Sequence, residues 1–456
     1  MLIRYGMYAV IGMTLASCTV LGPNYERPAL PLDAQYALST RGALSYAAED
    51  PWWQRLNDPV LTAFVEKTLS RNIQIDAALA RIKEARAILE TVGPASQLSG
   101  GLSASATLQS IDGNRTSNDT SQAQLAPSFL IDLFGQRRRQ QEQAQALLEA
   151  SVQDEAALRL ALQAEVTQIY LNARFLQAST RIRRSAVANR RSLVSILRER
   201  GLVGDSTQVQ LRRAEAELRL EQARLPELEG DFQATAFALA TLAVEPAESV
   251  LKTLERGGGQ PVPRARLSPD VPAALLRNRP DVRASEARLV AATAEIGVLQ
   301  AQLAPSLSLG GSVNVSATDT ISFGPSLIVP IFDLPVRRAR VTAGRARAEE
   351  AEAIYRQTVL EAVEEVQVSL AQTQSLQRQS AALQRALATY QQAVSLSQEA
   401  FSLNAITLVE VLGAEEDLRD TSLTLAGVRR DFAATWSQLN IAIGQGRDVA
   451  IERGSR

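Results

Sequence analysis

The chain of 456 residues has no histidine and a single cysteine, Cys18. The first absence removes the side chain that most often acts as a general base or metal ligand at neutral pH. The second makes a disulfide within the chain impossible. Aromatic residues are only 5% of the sequence. Alanine, leucine, glutamine, glutamate and arginine dominate, which suits long helices packed side by side better than the bulky core of a globular enzyme. Lysine plus arginine number 48 against 49 aspartate plus glutamate, so no overall basic field exists to recruit nucleic acid. Without clustered metal ligands, and with no cofactor or nucleophile motif, an enzyme is the least supported reading. The apolar run in residues 1–17 follows Arg4, is too short to span a bilayer, and has the form of a secretory signal.

What is present is period-two alternation in two places. Leu307, Leu309, Gly311, Val313, Val315 and Ala317 alternate with Ser308, Gly310, Ser312, Asn314 and Ser316. After Thr318-Asp319-Thr320 the pattern resumes with Ile321, Phe323, Pro325, Leu327, Val329 and Ile331. This spacing predicts a hairpin over 306–333 with one apolar and one small, polar face. A second one over 101–134 is predicted from Leu102, Ala104, Ala106 and Leu108, then Ala123, Leu125, Phe129 and Ile131. Strands of about ten residues with apolar-out, polar-in alternation are the signature of a transmembrane barrel. An ordinary sandwich hairpin is the alternative.

Most of the remaining chain reads as helix. Asp58-Pro59 opens one running through Ala85, with Asp as N-cap and Pro at the first position. The tract from Gln136 to about Arg200 lacks proline and glycine and would reach roughly 95 Å as a helix. Gly201 and Gly204 mark a turn, and a returning helix runs from Thr207 to Val244, bent at Pro226. The plan then recurs: helix from Pro280 to Leu303, hairpin, long helix from Val336 to Leu403, break at Asn404, helix from Thr407 to Ile443. Glu165-Val166 answers Glu365-Val366, and Ala214-Glu215 answers Ala414-Glu415, at a separation of about 200 positions. Asn404 stands where the first half has Gly204, and Asn best replaces glycine in a left-handed turn. The reading is therefore residues 1–17 as signal, 18–57 as extended tether, 58–244 as the first repeat, 245–279 as irregular connector with Gly257-Gly258-Gly259 as a flexible joint, 280–443 as the second repeat, and 444–456 as tail.

Four strands cannot close a barrel, and open strand edges are not tolerated in lipid. Several copies must therefore share one wall: two chains would give eight strands and a nearly filled interior, three would give twelve and a lumen. Long antiparallel helices could continue that wall as a tube, a solid coiled-coil stalk being the alternative.

Leu15-Ala16-Ser17-Cys18 resembles the lipobox of bacterial lipoproteins, which implies a covalent lipid on Cys18 and, with Thr19 after it, sorting to the outer membrane. With Gly22-Pro23-Asn24-Tyr25, Pro28, Trp52-Trp53, Asn57-Asp58-Pro59, Asp132-Leu133-Phe134-Gly135, Arg279-Pro280-Asp281-Val282 through Ala304-Pro305-Ser306, and Pro330-Ile331-Phe332-Asp333, the chain resembles the TolC-like outer-membrane factors, in their lipoprotein branch. The resemblance implies a membrane α+β fold: a homotrimer with a twelve-stranded β-barrel continued by an α-helical barrel. It also implies a passive export duct, with a periplasmic adaptor and an inner-membrane RND-type transporter as partners. The turns at Val203-Gly204-Asp205 and Leu403-Asn404-Ala405 would meet the adaptor. Glu410 would occupy an acidic ring at the periplasmic aperture, with Arg212 or Arg213 as its ion-pair partner. Gly413 leaves a second acidic position of the family vacant, and Leu334-Pro335 replaces a glycine pair. Arg137-Arg138-Arg139 and Arg337-Arg338 with Arg340 follow outgoing strands and are expected to meet phosphates of outer-membrane lipids. A protein-secretion channel, or a lipid-anchored stalk without a pore, remains a competing reading.

Overall fold

The computed structural model describes residues 20–29, 51–93, 97–107, 120–202, 207–263, 279–316 and 318–446. Cys18 and the turn Val203-Gly204-Asp205 lie outside them. In chain order come α1 (Pro59–Arg71), α2 (Ile73–Thr91), β1 (Leu98–Thr107), β2 (Thr120–Ile131), α3 (Gln136–Leu202), α4 (Gln208–Ala223), α5 (Leu225–Ala243), α6 (Ala247–Glu255), α7 (Pro280–Ala301), β3 (Ser306–Val315), β4 (Thr320–Ile328), α8 (Leu334–Ser402) and α9 (Leu408–Ala442). Two compact units result. One holds the sheet with residues up to 31, 78–154 and 281–359; the other holds 32–77, 155–280 and 360 onward.

In the first unit the four strands form one antiparallel sheet in the order β1-β2-β3-β4. Its register lines up the alternation seen in the sequence. Leu102, Leu125, Val313 and Ile321 form a row across all four strands, and Leu98, Phe129, Leu309 and Pro325 form another. Ser103, Gln124, Asn314 and Thr320 make a row of the opposite parity, as do Ser99, Ser128, Gly310 and Gly324. Among the described residues no layer covers the apolar face: Leu102 is 76% exposed and Ile321 81%. That disposes of the sandwich alternative, in which this face would be buried. The turn of the second hairpin is fixed by Asp319, whose Oδ1 accepts from the Ser316 amide at 3.3 Å.

Residues 20–29, within the expected extended tether, are bonded to the rest of their unit. The Leu21 amide donates to Phe134 O at 3.1 Å, and the buried Arg139 donates to Leu21 O, Gly22 O and Asn24 Oδ1 at 3.2, 3.2 and 2.8 Å. Gly22 has φ +98°, and a Cβ there would come within 2.4 Å of Gly297 Cα, so only glycine allows this approach. Tyr25 and Arg27 both reach Glu286 on α7, at 2.8 and 2.6 Å.

The second unit is centred on Trp52, Trp53 and Trp436, all fully buried. A short 3-10 helix, Trp52–Leu56, carries the first two inside what the sequence suggested was tether. Asp58 caps α1 as expected, its Oδ1 accepting from the Val60 and Leu61 amides at 2.9 and 3.2 Å. Its other oxygen accepts from the Tyr170 hydroxyl at 2.5 Å. Three sequence expectations change here. The first helix breaks at Asn72, whose buried amide donates to Leu242 O at 3.0 Å while its Oδ1 accepts from the Gln74 amide at 2.9 Å. The returning helix of the first repeat is two helices, with Pro226 seated in the first turn of α5. The connector contains α6, which buries Val250 and Leu254. Gly258 in the triplet is there for close approach: a Cβ would meet Arg174 Cζ at 2.8 Å.

Candidate functional site

The sheet is the first functional element, because small and polar side chains line one of its faces from edge to edge. Ser312 and Ser322 bond each other across the strands at 2.8 Å. Serine, glycine, glutamine and asparagine leave room and offer hydrogen bonds to water, as a lumen wall requires. Among the described residues the outer edges of β1 and β4 have no partner strand. Among the described residues no helix is long and apolar enough to cross a membrane.

The second element is the turn between α8 and α9. Asn404 takes φ +57°, the left-handed conformation anticipated from its place opposite Gly204. The Ala405 amide reaches back to Ala400 O at 2.9 Å and the Asn404 amide to Phe401 O at 3.1 Å, the paired bonds of a Schellman cap. Arg200, near the end of α3, completes that cap. It donates to Asn404 Oδ1, Phe401 O and Ser402 O at 2.8, 3.1 and 3.0 Å, and its guanidinium lies 4.8 Å from the Phe401 ring centre. A cation at a helix C-terminus is well placed for the macrodipole. Leu193, Val194 and Leu197 pack with Ala214, Phe401, Leu408, Val411 and Leu412 into one apolar cluster, so both helical hairpins share a core.

Glu410 lies in the first turn of α9 and forms a capping box. Its Oε2 accepts from the Thr407 amide at 2.7 Å and from the Thr407 hydroxyl at 2.8 Å. The Thr407 amide, then its hydroxyl, hold this carboxyl below the usual carboxylate range. Thr207 and Gln210 make the equivalent box at the start of α4, at 2.9 and 3.3 Å. The Thr-x-x-Glu and Thr-x-x-Gln patterns were a sequence signal for these boxes that a purely functional reading of Glu410 passes over. Within one chain Glu410 is paired with neither arginine: Arg212 donates to Glu215 at 2.9 Å, and Arg213 is exposed.

Farther along the same helices runs a buried polar seam that sequence reasoning missed. Glu221 on α4 bonds Arg419 on α9 and accepts from Arg183 on α3 at 3.3 Å. Glu415 lies 3.9 Å from Arg190, both nearly buried, and accepts from Gln398 at 3.1 Å. No local pattern marks such pairs, which depend on helix rotation. Burial pushes the Glu415 carboxyl above the usual range, with the Gln398 bond and then the Arg190 charge opposing it. The folded chain therefore keeps this proton where the unfolded chain, with a carboxyl pKa of about 4.3, has released it. The contribution of Glu415 to stability falls as pH rises from that value through the folded one. Glu415→Gln is expected to flatten this part of the profile, read from denaturation midpoints at about pH 5 and about pH 7. Parallel profiles for the two proteins would contradict it.

A sheet with one uncovered apolar face, one small polar face and two open edges, joined to helices as long as α3 and α8, defines the protomer of a channel wall. The sequence matches the outer membrane efflux protein family over residues 64–243 and 271–445, and the chain belongs to that family. It is 31% identical to nodulation protein T of Rhizobium leguminosarum bv. trifolii, over 97% of each chain. It is 26% identical to the cation efflux system protein CusC of Escherichia coli K12, over 96% of this chain and 98% of that one. Among solved structures, the outer-membrane channel OprN superposes with a TM-score of 0.84 at 27% identity, covering 94% of this chain and 99% of that one. The protein is an outer-membrane efflux channel, and the four-stranded sheet with long helices expected from its sequence is the fold of that class.

Proposed function

We propose that three copies of the chain close a twelve-stranded β-barrel in the outer membrane and extend it as a helical tunnel, the passive exit duct of a tripartite efflux pump. The observation that carries this is the sheet itself, whose apolar rows face outward uncovered while β1 and β4 end in unpaired edges. Pairing β4 of one copy with β1 of the next removes every edge, as lipid demands. A lumen lined by serine, glycine and glutamine conducts without catalytic residues or a bound cofactor, so the driving energy belongs to an RND-type transporter in the inner membrane. A lipid on Cys18 anchors the chain, a reading supported by Leu21, which bonds Phe134 just past the end of β2.

The helix turns are the docking points for a periplasmic adaptor. Leu202, Val209, Leu403 and Val409 are apolar yet exposed around them, and Arg200 gives Leu403-Asn404-Ala405 a fixed form. The first turn, Val203-Gly204-Asp205, which lies outside the described residues, is the second proposed docking point. The cargo is a drug or another small toxic compound.

The purified chain is expected to run as an oligomer in mild detergent and to give discrete conductance steps in planar bilayers. A monomer that never conducts would overturn the reading. Glu410 forms the acidic ring at the periplasmic aperture, across from Arg212 and Arg213. Glu410→Gln retains the capping box, as Gln210 does in the first repeat, while removing the charge. Cation selectivity, read as reversal potential in a salt gradient, should fall with thermal unfolding unchanged; an unaltered reversal potential would remove Glu410 from the aperture.

A further inference from the structure

All helix-linked strand ends lie on one rim of the sheet. Ile131 pairs with Leu307, Ser306 with Ile328, and Leu98 with Phe129. The exits of β2 and β4 are therefore level with the entries of β1 and β3, and the turn at Ser316–Asp319 lies at the opposite rim. Each exit is followed by a run of arginines, and the structure divides these runs in two. Arg139 is buried against residues 21–24 and also bonds Glu142 at 2.7 Å. Arg337 bonds Asp333 at 2.6 Å and Gln302 O at 2.8 Å. Arg137 is likewise engaged.

Arg138, Arg338 and Arg340 differ: all three are exposed, and among the described residues none of their guanidinium groups has an ion pair or hydrogen bond. The nearby carboxylates are already used, Asp333 by Arg337 and Asp132 by the amides of Arg137 and Arg138 at 3.1 and 3.2 Å. Arg138 is also the third residue of α3, where a cation opposes the macrodipole. Asp132 caps the amides of this turn, but among the described residues the Arg138 guanidinium itself has no carboxylate partner. Beside the second run the chain leaving β4 exposes Val329, Ile331 and Phe332, the last at 98%. This rim therefore joins free positive charge to bare apolar surface and is continuous with the uncovered face of the sheet. Such a combination fits the headgroup boundary of a bilayer, where an apolar side chain enters the acyl region and a guanidinium stays at phosphate level.

We propose that Arg138, Arg338 and Arg340, with Ile331 and Phe332, form a binding surface for anionic phospholipid headgroups at this rim, an inference that rests on the membrane-channel reading above. Attraction of basic residues to an anionic leaflet amounts to roughly fivefold in affinity per arginine. Neutral phosphatidylcholine gains the apolar contacts and only part of the charge contacts.

The test uses the full-length purified oligomer in nanodiscs of mixed phosphatidylglycerol and phosphatidylcholine, with the lipids it retains on release into the gas phase counted by native mass spectrometry. Wild type is expected to be enriched in phosphatidylglycerol, and the enrichment should weaken at high salt. R338Q/R340Q should lose on the order of twenty-five-fold of that preference, and R138Q about fivefold. Arg347→Gln, whose arginine is tied to Glu295, should leave it unchanged. F332S should lower retention of both lipids alike. Since the three guanidinium groups make no ion pair or hydrogen bond among the described residues, these variants should assemble and conduct as wild type does. A conducting wild type that holds the two lipids equally, or an R338Q/R340Q variant with undiminished preference, overturns the headgroup site and leaves the channel standing. A chain that prefers phosphatidylglycerol but never conducts does the reverse.

Discussion

Glu221→Ala is expected to destabilise the helical unit by about 3–5 kcal/mol, the range for breaking a buried ion pair from one side. Glu221 and Arg419 are both nearly buried, and Arg183 shares the same carboxylate. Removing it strands two guanidinium groups in a low-dielectric seam, and the half-exposed Glu416 and Asp420, each 2.9 Å from Arg419, recover only part of the loss. Loss of helical circular dichroism on heating is the readout. Glu221→Gln should fall between wild type and alanine, since it can still accept a hydrogen bond. A change below about 1 kcal/mol would mean that Glu416 and Asp420 suffice for Arg419, making the α4 contact dispensable.

The second large effect is expected at Trp436. Its indole is fully buried with its ring centre 6.3 Å from that of Trp52, which stands 5.8 Å from Trp53. Trp436→Ala should cost about 3–5 kcal/mol by leaving a cavity that the surrounding helices only partly close. The damage should spread in a defined direction. Trp52 Nε1 donates to Gln163 at 3.1 Å, Gln163 donates to Gly446 O at 3.0 Å, and Gly446 takes φ +83° with no room for a Cβ against Gln163. Amide exchange should therefore quicken in Trp52–Leu56 and around Gly444–Gly446 before it does in α3. Uniform protection in both segments of the variant would show that the tryptophans are not the link.

The strands were legible because their alternation carries its own meaning: Leu307 to Val315 cannot be shifted by one residue without turning every leucine to the wrong face. The duplication is legible as well, since Asn404 opposite Gly204 points to the left-handed turn that the structure shows. Three other features were not. Asn72 ends a helix through a bond to Leu242, far away in sequence, whereas the flanking residues keep the helical period. Gly258 reads from the sequence as part of a flexible joint, because the Arg174 side chain pressed against it comes from another element. Glu410 shows the opposite case, a local cap plainly written in Thr407-x-x-Glu410 yet obscured by attention to a charge at a pore. The aperture pairing proposed for Glu410 would be a contact between copies, which no single chain displays.

Arg200 belongs to the first helical hairpin, but the atoms it holds, Phe401 O, Ser402 O and Asn404 Oδ1, belong to the second. Together with the shared apolar cluster and the Glu221–Arg419 pair, this side chain ties the two repeats to each other. A substitution that reshapes one turn must either preserve the guanidinium fork or be matched by a change some 200 positions away. Adaptation at this end of the molecule is therefore expected in linked pairs, one from each half of the gene.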